Sequence, residues 1–118
     1  MSNILLHLAS AAMVLTAFLH SWLGEQRLLR PLLMVDADLL GIPRVRRMIR
    51  FSWHFTSALK ILCAVVVSWP GTPAMPIAII GAVWLAVGLY SLVSSRGRHV
   101  GWVPLTLAGL FALAGAAL

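Results

Sequence analysis

Four long apolar segments, separated by shorter polar ones, make up most of this chain. They cover residues 4–23, 51–69, 75–93 and 100–118, and each contains 19 or 20 residues. A helix of about 20 residues crosses a hydrocarbon core about 30 Å thick, and only helices and closed barrels pair all of their backbone groups in lipid. The segments lack the alternation that is typical of barrel strands. The pattern therefore predicts an all-α membrane protein, with four transmembrane helices in a compact bundle forming one domain over residues 1–118.

The composition supports this fold class. Of the 118 residues, 61% are hydrophobic and 10% are charged, and the mean hydropathy is +0.97. A soluble domain averages about 45–50% apolar and about 25% charged residues. No basic residue precedes the first segment, so we expect it to be a retained span and not a cleaved signal peptide. The single cysteine, Cys63, excludes a disulfide within one chain.

The basic residues predict the orientation of the four spans. Six arginines lie between spans one and two, and Arg96 and Arg98 lie between spans three and four. The turn at residues 70–74 and both termini carry no charged side chain. Short basic loops remain in the cytoplasm, so we expect a multi-pass protein of the inner (plasma) membrane with both termini outside. The six arginines are Arg27, Arg30, Arg44, Arg46, Arg47 and Arg50.

The large inner loop, residues 25–50, is amphipathic. It contains both several leucines and the six arginines. Pro31 and Pro43 are expected to break any continuous helix. We expect the loop to lie in the headgroup region with its arginines on lipid phosphates or on another anion. The simpler interpretation is that the loop only controls topology and anchors the protein in lipid. The alternative is that it binds an acidic lipid or an acidic partner. The pI of about 11.5 comes from arginines that flank the membrane, so nucleic acid is not a predicted partner.

Three histidines and the only glutamate of the chain fall on the inner side of this topology. His20 and His54 lie near the inner ends of spans one and two, and His99 lies at the inner start of span four. Glu25 follows span one. Histidine nitrogens and carboxylate oxygens are ligands of zinc, iron, nickel and manganese. These four residues are therefore the predicted site for a metal ion or similar ligand.

Other roles fit the same side chains. His20 and His54 could serve as the two axial ligands of a b-type haem, with arginines near its propionates. Without a metal, the histidines could relay protons, or hold an anionic headgroup together with Arg27 and Arg50. The structural alternative is that they only anchor the protein at the interface, beside tryptophans of the same inner belt. These tryptophans are Trp22, Trp53 and Trp102.

Lys60 is an ionisable residue inside the second span. Such a residue is a functional candidate by default, because charge in hydrocarbon is costly. Helical spacing places it on one stripe with Trp53, Ser57, Ala64 and Val67, whose small members predict close helix contact. Because this stripe is unlike a face in contact with lipid, we expect Lys60 to face the bundle or a polar cavity. No carboxylate occurs in any span, which excludes a buried salt bridge within one chain. A merely tolerated lysine is the alternative.

Two stretches, HSWLGEQRLLRPLL at residues 20–33 and RFSWHFTSALK at residues 50–60, resemble a group of small bacterial inner-membrane proteins. The resemblance covers about the first 60 residues. It implies four helices and brings no activity with it.

Three functions follow from the sequence. The first is binding of a metal ion or similar ligand at the inner His/Glu cluster. The second is a non-catalytic accessory or assembly role in a larger membrane complex or homo-oligomer. The third is a small transporter that uses Lys60 and the histidines. No nucleophile elbow, phosphate loop or paired carboxylates occur in the sequence, so catalysis is not expected.

Overall fold

The computed structural model describes residues 2–118, which form four helices. Helix α1 covers Ser2–Leu33, α2 Pro43–Ser68, α3 Ala74–Ser95 and α4 Trp102–Ala117. The first three are long and apolar enough to cross a membrane, whereas α4 is apolar but shorter, with 16 residues. At 1.5 Å per residue, α4 is about 24 Å long. The all-helical fold class is confirmed, with three helices of membrane-spanning length.

Helix α1 extends beyond the predicted span and includes Pro31. A π-helical turn, Glu25–Leu29, precedes this proline, and the N–H of Arg30 donates to the carbonyl oxygen of Glu25. In a regular α-helix the Pro31 ring would clash with the carbonyl of Arg27, four residues earlier. The wider turn relieves that clash, so the helix continues to Leu33. The loop between α1 and α2 is consequently short, residues 34–42, and α2 begins with Pro43 in its first turn, where proline is well tolerated.

Helix α1 is central in the packing. It packs against α2 and α4, and α3 packs mainly on α4 and only weakly on α2. The molecule is a flat slab of 52 × 30 × 18 Å. Large apolar side chains such as Phe18 and Phe51 cover its outer surface, as a surface in contact with hydrocarbon would require. The buried core residues are Ala9, Met13, Ala64, Val67, Ile77, Trp84, Leu105, Ala108 and Ala112.

Glycines bring α3 and α4 into backbone contact. A Cβ on Gly81 would lie 3.0 Å from the Cβ of Ala112, and one on Gly88 would lie 2.7 Å from the Thr106 nitrogen. A Cβ on Gly109 would lie 2.7 Å from the Cα of Leu85. The spacing of these small residues along the sequence predicts one close-packing face on each helix, and the contacts agree with that prediction.

Neighbouring helices are antiparallel. Ser10 contacts Ala64 and Ser21 contacts Ser57 across α1 and α2, while Gly81 lies opposite Ala112 across α3 and α4. Gly115 near the end of α4 lies against Leu6 and Ser2 at the start of α1. The end of α1, the start of α2, and the turn between α3 and α4 therefore lie at the same end of the molecule. We call it the basic end, because all eight arginines lie in or beside these segments.

Candidate functional site

Polar side chains of α1 and α2 form a connected group at the basic end, which we call the α1–α2 polar cluster. It arises because each helix places polar residues three or four positions apart, and hence on one face. In α1 these are Ser21 and Glu25, and in α2 they are Arg50, His54 and Ser57. The π-helical turn starts at Glu25, and such turns are frequent at functional sites.

A chain of hydrogen bonds passes through this cluster. His54 Nε2 lies 3.1 Å from Glu25 Oε2, and His54 Nδ1 lies 2.9 Å from Ser21 Oγ. Ser21 Oγ donates to Ser57 Oγ at 2.6 Å. The Glu25 side chain is 21% exposed, whereas Ser57 is only 6% exposed. The chain therefore connects an accessible carboxylate with a hydroxyl buried between the two helices.

Glu25 is held by arginines as well as by His54. Arg50 NH2 lies 2.9 Å from Glu25 Oε1, and Arg50 Nε donates to Oε2 at 3.3 Å, which makes the pair bidentate. Arg30 Nε is more distant, at 3.9 Å. Within residues 2–118, Glu25 is the only carboxylate in an ion pair. Its oxygens are thus already engaged by cations and by imidazole.

His20 and Trp53 hold α1 and α2 together next to this chain. Their rings stack at a centroid distance of 4.2 Å with an interplanar angle of 7°. Trp53 Nε1 donates to the His20 carbonyl at 2.8 Å, and His20 Nε2 lies 2.8 Å from Thr56 Oγ1. Gly24 makes room for the indole, because a Cβ at this position would overlap Trp53. The contacts of His20 are therefore those of a packing residue.

Lys60 lies on the inward stripe of α2, close to one turn beyond Ser57. Ser57, Ala64 and Val67 are the buried residues of this helix, which agrees with the stripe expected from the sequence. Lys60 itself is half-buried. In the part of the chain that the structure describes, no hydrogen bond or ion pair engages its amine. The buried hydroxyl of Thr16 on α1 donates to the Ala12 carbonyl at 2.8 Å and does not engage this amine.

The structure brings together only part of the predicted ligand set. Glu25 and His54 are in direct contact, and His20 adjoins them through Trp53. His99 lies in the turn after α3, with its Nδ1 3.2 Å from Ser91 Oγ. Among residues 2–118, no group of three or more His, Cys, Asp or Glu side chains is arranged to hold a metal ion.

The predicted lipid contacts and anchors take different positions. An open groove at the start of α2 is lined by Arg46, Arg47 and Arg50. The other predicted lipid contacts, Arg27, Arg30 and Arg44, are exposed and do not line it. Of the three tryptophans, Trp22 is exposed, and Trp102 donates from Nε1 to the Gly97 carbonyl at 3.3 Å. Trp53 is a packing residue between helices, not a free interfacial anchor.

The sequence analysis did not identify Ser21 and Thr56 as site residues. It also did not predict that Gly24 makes room for the indole of Trp53. The available signal was the spacing of four between Ser21 and Glu25, and again between Arg50 and His54. Comparison with family models, curated proteins and solved structures found no match to this sequence. A functional proposal for this protein therefore rests on the α1–α2 polar cluster and Lys60.

Proposed function

We propose that this chain is a small multi-pass membrane protein of the transporter class that relays protons between its basic end and Lys60. The single observation that supports this function is the hydrogen-bonded chain from Glu25 through His54 and Ser21 to Ser57. Its members are titratable groups or hydroxyls, and each can both accept and release a proton.

The proposed arrangement in the membrane has all four helices crossing. Helix α4 is the short one, and the flanking residues Val100, Gly101 and Leu118 extend its apolar segment to residues 100–118. The arginines at the basic end favour the cytoplasmic side of an inner or plasma membrane for that end. Both termini then lie outside, and the chain from Glu25 to Ser57 opens to the cytoplasm.

The relay uses both nitrogens of His54. The Nε2 atom accepts a proton from the Glu25 carboxyl, and the imidazolium then releases a different proton from Nδ1 to Ser21 Oγ. Ser21 passes its own hydroxyl proton to Ser57, and Ser57 releases its own hydroxyl proton to the neutral amine of Lys60, so one proton enters and one leaves at each hydroxyl. A ring flip or tautomer exchange resets His54 for the next proton. Arg50 stabilises the Glu25 carboxylate after the transfer.

Lys60 is the proposed end of the relay. A charged lysine at the centre of a helix costs about 2.5–3.5 kcal/mol on insertion scales, so a neutral amine is accessible to it. Ser57 lies three residues before Lys60 on the same stripe. It is the residue of the hydrogen-bonded chain that is nearest to Lys60 in the sequence. A small transporter must bind its ion with different affinities in two states. The charged and neutral forms of the Lys60 amine would provide these two states.

The test is proton flux into liposomes that contain the purified protein and an internal pH-sensitive dye. We expect Ser57→Ala and Lys60→Leu each to lower the flux at least tenfold. Ser68→Ala is the matched control, because Ser68 also lies on α2 but its hydroxyl donates only to carbonyls of its own helix. Flux equal to that of protein-free liposomes would refute the proposal, as would a Ser57→Ala variant as active as Ser68→Ala.

The same preparation distinguishes the other two functions. A stoichiometric transition metal in elemental analysis, or a Soret band from b-type haem, would favour ligand binding at His20, Glu25, His54 and His99. Co-purification of a large membrane complex, with no proton flux from the isolated chain, would favour the accessory role.

A further inference from the structure

A groove with basic and apolar walls lies beside the polar cluster, and we call it the arginine groove. It has a volume of about 600 Å³ and is open on one side. Pockets for small molecules have volumes of about 300–1,000 Å³. Its lining residues are Leu33, Pro43, Arg46, Arg47, Arg50 and Phe51.

The charge of this groove is only partly balanced. Arg50 is paired with Glu25, and Arg46 NH1 donates to the Leu40 carbonyl at 3.4 Å. Arg47 is exposed and makes no ion pair within residues 2–118. Within residues 2–118, two of the three guanidinium groups that line the groove, those of Arg46 and Arg47, therefore make no ion pair with a carboxylate. Guanidinium groups bind phosphate oxygens through paired, charge-assisted hydrogen bonds, so an anion of this kind complements the groove.

The apolar walls narrow the choice of anion. Leu33 is 2% exposed and Phe51 is 69% exposed, so the groove has one buried and one open apolar wall. Phe51 is also the first residue of the apolar segment of α2, and Arg47 lies one turn before it. One turn is about 5.4 Å. In the membrane arrangement proposed above, on which this inference rests, the groove thus lies where phosphate groups of a bilayer meet its hydrocarbon.

We infer that the arginine groove binds the phosphate headgroup of an anionic phospholipid. The phosphate lies against Arg46 and Arg47, and the first carbons of an acyl chain lie along Phe51. This site is separate from the proton relay, because neither Arg46 nor Arg47 belongs to the chain from Glu25 to Ser57. Free phosphate would use only the arginines, whereas a lipid uses the arginines and the apolar wall.

The test is lipid binding to the delipidated, detergent-purified chain by native mass spectrometry. Phosphatidylglycerol and phosphatidylcholine are added separately. We expect phosphatidylglycerol to bind at least tenfold more tightly, and Arg47→Gln to weaken its binding about tenfold. Arg47→Lys should give an intermediate value, because it keeps the charge but loses bidentate geometry.

Arg44→Gln is the matched control for this measurement. It removes the same charge from the same helical turn, but Arg44 does not line the groove. We expect it to change phosphatidylglycerol affinity less than twofold. Equal losses in the Arg44 and Arg47 variants, no loss in either, or equal binding of both lipids would overturn the inference. Displacement of the lipid by an equal concentration of inorganic phosphate would also overturn it, and would identify a site for free phosphate.

Discussion

At the residue scale, contact between α1 and α2 depends on the absence of one side chain. Gly24 is buried in α1, and a Cβ there would overlap the indole of Trp53. The indole in turn donates to the His20 carbonyl and stacks on the His20 ring. A small residue is needed at this position because the two helices approach closely where the aromatic ring is inserted.

Gly24→Ala should therefore destabilise the protein. Overpacking of a well-packed contact costs about 1–3 kcal/mol, and we expect a loss in this range in unfolding experiments in detergent. Gly41→Ala is the control, because a Cβ at Gly41 would meet only carbonyl oxygens at 3.5 Å, an ordinary contact. If Gly24→Ala proves as stable as the Gly41 variant, the indole has another position available and this packing argument is wrong.

At the element scale, the helix pairs α1–α2 and α3–α4 pack in different ways. Between α1 and α2 the contact is polar, with Ser10 donating to the Ala64 carbonyl and Ser21 to Ser57. Between α3 and α4 it is a contact of small residues, with Gly81 and Gly109 against backbone atoms. In lipid, apolar surface alone gives helices little reason to associate, so close backbone packing and interhelical hydrogen bonds replace the hydrophobic effect.

Gly109→Val should disrupt the α3–α4 pair. The new side chain would overlap backbone atoms of Leu85, which cannot move aside like the end of a flexible side chain. We expect a loss of at least about 1–3 kcal/mol of unfolding free energy in detergent. Ala114→Val is the matched control, because Ala114 is an exposed residue of the same helix. Similar losses in both variants would show that the β-branched residue in α4, and not the contact, is responsible.

At the scale of the whole molecule, antiparallel packing separates a basic end from an uncharged one. The segment at residues 34–42 and the α3–α4 turn lie at the basic end, and the turn after α2 lies at the other. The polar cluster and the arginine groove both belong to the basic end. In the proposed arrangement, access to Lys60 through Ser57 is therefore from the side of the membrane where this end lies.

Labelling of single cysteines in intact cells tests the proposed orientation. In a Cys63→Ala background, Ala117→Cys should react with a membrane-impermeant maleimide added outside the cells. Ala37→Cys should react only after the cells are opened, because the basic end is expected in the cytoplasm. The inverse pattern of labelling would reverse the topology and place the entry to the proton relay outside the cell.

The sequence by itself determined the all-helical class and the approximate position of each helix, because apolar length reflects what a hydrocarbon core requires. It also determined the inward stripe of α2 through Ser57, Ala64 and Val67, since helical periodicity is a local property. The arginine positions, taken together with four alternating spans, also predicted that all eight arginines share one end. Continuation of α1 through Pro31 was not predicted. The expectation that an interior proline breaks a helix assumes regular α-helical geometry, and it does not apply after a π-helical turn.

The tertiary structure alone decided which polar residues meet. His20, His54 and His99 have similar depths by sequence counting, yet only His54 contacts Glu25, and His99 is held by Ser91. Depth along a helix follows from residue number, but contact between helices also depends on their rotation and on which pairs are neighbours. Rotation and neighbour choice are determined by side-chain packing, such as Gly24 against Trp53. That packing brings together residues more than 25 positions apart in the sequence. A local sequence pattern does not determine such contacts.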